Sequence, residues 1–371
     1  MRIYILQYMK KINNQIWTWR FLLVVSCILS LFLLMNRCGF AEGKNNAPSP
    51  LIMVKGSDWE EVSTIPFDSL IVTDPFILAD ENTNTYYLTA TGGAMWKSHD
   101  LRNWEGPFSF LEIDTTSWIG PNPLVWAPEL YHYKGKYYCF VTFTNLSVVI
   151  DTIPKRCELL RRGVHIFVSE KAEGPYRSLS DDPYLPEEWS TLDGTFYVED
   201  DVPYLVFSHD WMQLEVGEIK YIRLADDLTH SIGEASLLFT GSDAPWSHEM
   251  QSIGELTFGM SLRGYVTDGP FLFRTETGWL GMLWSSWGIK RNVQGVAYSL
   301  SGNLKGPWEQ QEDPLVEEHA GHGMLFTTFN GKNLLVLHAQ PLGENPGPRR
   351  PKLLEVNLSG NLLKIKGRYN P

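Results

Sequence analysis

Five times between residues 71 and 341 the chain runs through one order of features. A polar or ionisable residue precedes an apolar strand and a short turn. A second strand rich in aromatics or Leu and Val follows, and it ends in small polar residues. The units are "IVTDPFILADENTNTYYLTATG" (71–92), "WAPELYHYKGKYYCFVTFTN" (126–145), "LDGTFYVEDDVPYLVFSHDW" (192–211), "TDGPFLFRTETGWLGMLWSSW" (267–287) and "GHGMLFTTFNGKNLLVLHAQP" (321–341). Their ionisable residues, Asp74, Glu129, Asp193, Asp268 and His322, are separated by 55, 64, 75 and 54 positions. Between the hairpins, "SHDLRNWEGPF" (98–108), "SEKAEGPY" (169–176) and "SLSGNLKGPW" (299–308) read as outer strands with Gly-Pro turns, and "LADDLTHSIGEASLLF" (224–239) is a looser relative. Repetition of β-character at this period predicts an all-β fold, a five-bladed β-propeller with four strands per blade. No low-complexity linker interrupts residues 50–371, so one domain over 42–371 is expected.

The N-terminus reads differently. The first 41 residues hold five of the 31 basic residues and no acid, and the run "FLLVVSCILSLFLLM" (21–35) is apolar. That run is short for a bilayer span and right for the core of a signal peptide covering 1–41, with Gly39 and Ala41 at small-residue cleavage positions. A lipoprotein anchor at Cys27 and an uncleaved membrane anchor are the rival readings. Each implies export, to the periplasm, cell surface or medium, with the membrane as partner only through such an anchor.

Residues 42–371 then carry 26 basic against 43 acidic residues. A surface of that sign repels phosphate backbones, which argues against nucleic acid as a partner. Cys139 and Cys157 are the cysteines outside the leader. One disulfide is compatible with export, although Cys139 in "KYYCFVTF" suits a buried free thiol. No P-loop, GxGxxG, GxSxG, HExxH or paired CxxC occurs.

In a propeller the first strand of every blade lines the central channel, so the five ionisable residues are expected to converge at one end. Several carboxylates around one funnel cannot all ionise cheaply, and groups whose pKa values are driven apart make acid/base pairs. "VTDPFIL", "VWAPELYHYKGKYYCF", "LDGTFYVEDDVPYLVF", "TDGPFLFRTETGWLGMLWSS" and "GHGMLF", taken in order, resemble glycoside hydrolase family 43 from about residue 67 to 345. That resemblance implies an inverting glycosidase. Its substrates would be α-L-arabinofuranosyl, β-galactofuranosyl or β-xylosyl groups on an oligosaccharide or polysaccharide.

The same resemblance implies Asp74 as general base and Asp193 as the carboxylate that tunes the acid. Asp268 falls where the family usually has a glutamate acid. Because aspartate is one methylene shorter, Glu129, Asp210 and Glu249 stay open as alternative acids. A carbohydrate-binding propeller without turnover stays open as the alternative function. No cofactor is required. His322 matches a family histidine beside a channel calcium or other cation, or is a hydrogen-bonded core histidine. Glu129 is a candidate for sugar hydroxyls or a structural hydrogen bond. Trp126, Trp211, Trp246 and Trp287 are candidate platforms for sugar rings, or core packing, and Arg263 or Arg274 a candidate partner for a catalytic carboxylate.

Overall fold

Each repeat folds as one antiparallel sheet. The computed structural model describes residues 51–53, 63–153, 157–250, 263–289, 291–341 and 347–371. All of them fall in one compact unit, Pro48–Gln251 with Arg263–Pro371. The expected signal segment lies outside the described residues. Among those described, no helix is long and apolar enough to cross a membrane.

The first blade is Phe76–Asp80, Thr85–Ala90, Ala94–Ser98 and Asn103–Ser109, with Ser63–Pro66 added outside. The second is Leu124–Tyr133, Lys136–Ile153, Cys157–Ser169 and Tyr176–Ser178, extended outward by Leu111–Asp114 and Leu51–Met53. The third is Thr191–Glu199, Val202–His209, Glu218–Leu224 and Ser231–Thr240. The fourth is Asp268–Arg274, Leu280–Trp287, Asn292–Ser299 and Trp308–Gln310. The fifth is Ala320–Thr327, Asn333–Ala339, Arg350–Asn357 and Lys364–Arg368.

The inner strands of successive blades are neighbours, and the inner strand of the fifth returns to that of the first. This is the five-bladed propeller that the repeat predicts. Every strand of the fifth blade comes from the C-terminal segment, so side chains rather than a shared sheet close the ring. Arg350 donates to the Asp68 and Leu70 carbonyls at 3.1 and 3.3 Å, and the Phe329 N–H donates to the Tyr86 hydroxyl at 2.9 Å.

Blades sandwiched between blades must be apolar on both faces, and the second strand of the first blade, "TYYLTA", is buried throughout. Cys139 is a buried free thiol within the core shared by the first and second blades. The side chain of Cys157 falls outside the described residues. Between the third and fourth blades, Trp246 packs over Gly295, where an added Cβ would stand 1.8 Å from the indole. Overpacking a rigid core distorts its neighbours. Gly295→Ala is therefore expected to cost about 1–3 kcal/mol of unfolding free energy, measurable by chemical denaturation; an unchanged midpoint would mean that the indole yields freely.

Candidate active site

The five blades share a local device at one end of the channel. Asp74, Ala127, Asp193, Gly269 and His322 all adopt left-handed backbone, with φ of 56°, 40°, 53°, 52° and 53°. In the last four blades the residue coincides with a register shift in the inner strand. These are the equivalent positions of the propeller. The sequence alignment matched Asp74, Asp193 and His322 correctly. It placed Glu129 two residues late and Asp268 one residue early, because side chains alternate along a strand and the bulge inserts an extra residue. Asp268 thus corresponds to Trp126, each lying just before the left-handed residue of its blade.

A second layer holds this ring. In each blade one residue of the second strand, or just past its end in the first blade, lies opposite the residue just before the left-handed position: Thr91, Thr142, Ser208, Ser285 and His338. Each reaches across to the next blade. The Ala127 N–H donates to Thr91 Oγ1 at 2.9 Å, Asp193 N–H to Thr142 Oγ1 at 2.9 Å and His322 N–H to Ser285 Oγ at 2.7 Å. Ser208 Oγ donates to the Thr267 carbonyl. The Asp74 N–H donates to His338 Nδ1 at 3.2 Å. None of the five was singled out in the sequence. Thr91, Ser208 and Ser285 are among the small polar residues at the ends of second strands, whereas Thr142 lies inside its strand and His338 is an imidazole.

The carboxylates converge on His322. Its Nδ1 is 3.4 Å from Asp74 Oδ1 and 3.8 Å from Asp193 Oδ2. Asp74 Oδ2 accepts from the Thr91 hydroxyl at 2.6 Å, Oδ1 lies 3.1 Å from His338 Nδ1, and Asp193 Oδ2 accepts from the Gly269 N–H at 3.0 Å. Among the described residues nothing hydrogen-bonds the Asp268 carboxyl.

These surroundings drive the carboxyls apart. Burial opposes ionisation of Asp74, yet His322 and the hydrogen bond to His338 outweigh it and hold the group well below the usual carboxylate range. Burial and then the Asp193 charge push Asp268 up to about 8, against the pull of His322. Asp193 is raised by burial, with His322 opposing and Asp74 adding to the rise. His322 is raised because Asp74 and Asp193 overcome its burial.

The other expected site residues are placed as follows. Glu129 is buried, accepts the Tyr131 hydroxyl and is pushed by burial up to about 8. Tyr131 in turn contacts Thr195 at 2.8 Å, which ties the second blade to the third. This geometry matches the structural alternative for Glu129. Trp126 is half-buried, donates through Nε1 to Thr144 at 3.0 Å and carries the Arg162 guanidinium 5.5 Å from its ring. Trp211 opens the short helix Trp211–Leu214, and Trp287 ends the second strand of the fourth blade, edge-on to His319 at 6.1 Å. Among the described residues, neither indole has a hydrogen bond or ring contact with the carboxylates.

Asp210 is bound to Arg162 at 2.9 Å and accepts from Ser190 and the Met212 N–H at 3.0 and 2.9 Å. Arg274 pairs instead with Glu199 and Tyr197. The arginine that bears on Asp193 is Arg162.

Calcium takes roughly six to eight oxygen ligands, waters among them, so a cation beside His322 would be held largely through waters. Two carboxylate oxygens face one ring nitrogen, and among the described residues no three metal-ligating side chains converge.

Residues 63–360 match the family described as Glycosyl hydrolases family 43. Among solved structures, an endo-arabinase from Bacteroides thetaiotaomicron VPI-5482 is 35% identical with a TM-score of 0.66, covering 78% of this chain and 95% of that one. An endo-1,4-beta-xylanase from the same organism is 23% identical (TM-score 0.59; 84% and 100% covered). An alpha-L-arabinofuranosidase from Lactobacillus brevis is 15% identical (TM-score 0.56; 79% and 94% covered). The latter two likenesses bear on the fold alone. No curated protein matches the chain.

Proposed function

Because the chain belongs to glycosyl hydrolases family 43 and is a glycoside hydrolase, we propose that it cleaves α-L-arabinofuranosyl linkages of an arabinan-type polysaccharide with inversion of configuration. The substrate class follows from the endo-arabinase to which it is 35% identical. The observation that carries the mechanism is the opposite displacement of two carboxyls in one cluster: Asp74 lowered, Asp268 raised to about 8. At neutral pH the first is a ready base and the second a loaded acid.

In this reading Asp74 takes a proton from water as the water oxygen attacks the anomeric carbon. Asp268 gives its proton to the departing glycosidic oxygen as the C–O bond breaks, and both carboxyls reset through solvent. Inversion needs the two groups roughly 6.5–9.5 Å apart, so that water fits on the face opposite the leaving group. Asp193 raises the affinity of Asp268 for its proton and is itself anchored by the Gly269 N–H. His322 steadies the negative charge of Asp74 and Asp193. Trp126, at the position corresponding to Asp268, is the platform proposed for a sugar ring. Export by the leader would bring the enzyme to a polymer outside the cell.

The test is hydrolysis of debranched arabinan, xylan and nitrophenyl pentosides by the purified protein, with the first-formed anomer followed by proton NMR. Arabinan is expected to be cut, with the anomer inverted. A retained anomer would overturn the mechanism. Release of sugar from xylan alone would overturn the substrate class.

A further inference from the structure

At the end of the molecule away from Asp74, the first and second blades leave a cavity of about 400 Å³ between them. That is within the size range of small-molecule sites. Asp74 precedes the inner strand Phe76–Asp80 and Thr83 follows it, so strand rise alone sets the cavity ~20 Å from the carboxylate cluster. Thr83, Thr85, Tyr87 and His99 of the first blade form one wall, and Tyr137 of the second joins them.

The hydrogen bonds of this wall fix where its protons are. Asp80, 3% exposed, accepts the Thr83 hydroxyl at 2.6 Å and the Tyr137 hydroxyl at 2.9 Å. Thr83 has thereby used its one hydroxyl proton, so the Tyr87 hydroxyl, 3.3 Å away, is the donor to Thr83 Oγ1. Thr85 donates to the Thr83 carbonyl at 3.1 Å. His99 Nδ1 stands 3.0 Å from the Asn84 carbonyl, which can only accept. In the neutral ring the proton is therefore on Nδ1, and Nε2 presents a lone pair. Every hydroxyl proton of the wall is used inside the protein, and the wall offers acceptors alone. Donors come from the side chains around it, Lys97 and Lys171. Lys97 reaches across to Glu173 of the second blade at 3.4 Å and has further N–H groups to give.

We propose that this cavity is a second, non-catalytic sugar-binding site, taking a neutral glycosyl unit of the polysaccharide that the opposite end hydrolyses. A sugar hydroxyl donates and accepts at one atom, so a polyol satisfies the wall of acceptors and the ammonium groups together. A carboxylate or sulfate ligand has only lone pairs to offer and would face acceptors, with the carboxylates of Glu105, Glu170 and Glu173 beside them. A metal cation would face two ammonium groups, and among the described residues no three metal-ligating side chains converge. The wall is locked to one buried carboxylate, so little of it remains to be ordered on binding. A polymer held there is kept close to the catalytic end, which raises its local concentration. The choice of arabinan as probe rests on the function proposed above.

The experiment compares the full native chain with two variants at exposed lining residues. His99→Trp fills the cavity with an indole, and Lys171→Ala removes a donor. In native gels containing debranched arabinan, run in the cold, the native chain is expected to be retarded. In both variants the retardation is expected to weaken, and KM on polymeric arabinan to rise roughly threefold to tenfold as the second contact is lost. Both kinetic constants on a nitrophenyl arabinofuranoside, too small to span the two sites, are expected to stay unchanged. Retardation equal to that of the native chain in both variants overturns the proposal. If the tryptophan variant does not fold, Lys171→Ala decides. Retardation by xylan and not by arabinan, weakened in the same variants, would keep the second site and overturn the arabinan reading. Cleavage of arabinan with equal retardation throughout would do the reverse.

Discussion

Asp74→Asn is expected to lower kcat on arabinan roughly 10²–10⁴-fold, the range over which a positioned base contributes, while oligosaccharide binding persists. The amide is nearly the same shape as the carboxylate. It can still accept from the Thr91 hydroxyl, which lies 2.6 Å from Oδ2 in the native chain. What it cannot do is take a proton from water. The loss should therefore be equal for good and poor leaving groups, because water activation is needed with both. Steady-state kinetics on arabinan and on an activated aryl arabinofuranoside, with calorimetry for binding, checks this. Wild-type turnover in the variant would remove Asp74 from the chemistry.

Asp268→Ala is expected to behave in the opposite way toward leaving groups. On arabinan the alkoxide must be protonated as it departs, and losing the acid should again cost roughly 10²–10⁴-fold. On a dinitrophenyl arabinofuranoside the leaving group departs unprotonated, so the loss should shrink to about tenfold or less. Equal losses on the two substrates would transfer the role to another group.

The pH dependence tests the same residue. Asp268 must hold its proton to act, and its affinity is raised to about 8. Activity is therefore full below that value and falls as pH rises through it. Asp74 must be free of its proton, and its lowered affinity puts the acid limb below the usual carboxylate range. Asp193→Asn removes the neighbouring negative charge that raises Asp268. The alkaline limb of kcat/KM should then move to lower pH, although in the native enzyme the limb belongs to the interacting pair. A limb unmoved by Asp193→Asn would show that the proton donor does not sense that charge.

Much of this was legible in the chain. Period-2 strands punctuated by turns, five times over, specify a propeller, because each sheet can bury two apolar faces only between two like neighbours. Asp74, Asp193 and His322 were legible too, since each stands close to the start of its inner strand. Asp268 was found but placed in the wrong register, and Glu129 was read as a sister of Asp74 although it points one layer lower, to Tyr131. Arg162 was missed because its partners, Asp210 and the Trp126 ring, are brought to it by a neighbouring blade and by the other strands of its own.

The chain by itself thus determined the architecture and the set of carboxyl groups, because both are written as local pattern repeated along it. The tertiary structure decided the surroundings of each carboxyl, which hold Asp74 well below the usual carboxylate range and push Asp268 up to about 8. Those shifts depend on burial and on charges a few ångströms away, and the neighbours come from other blades. His338 lies 264 positions from Asp74 and meets it only when the ring closes. No local pattern encodes such a distance. A one-residue bulge, invisible as composition, is enough to turn a side chain toward the funnel or away from it.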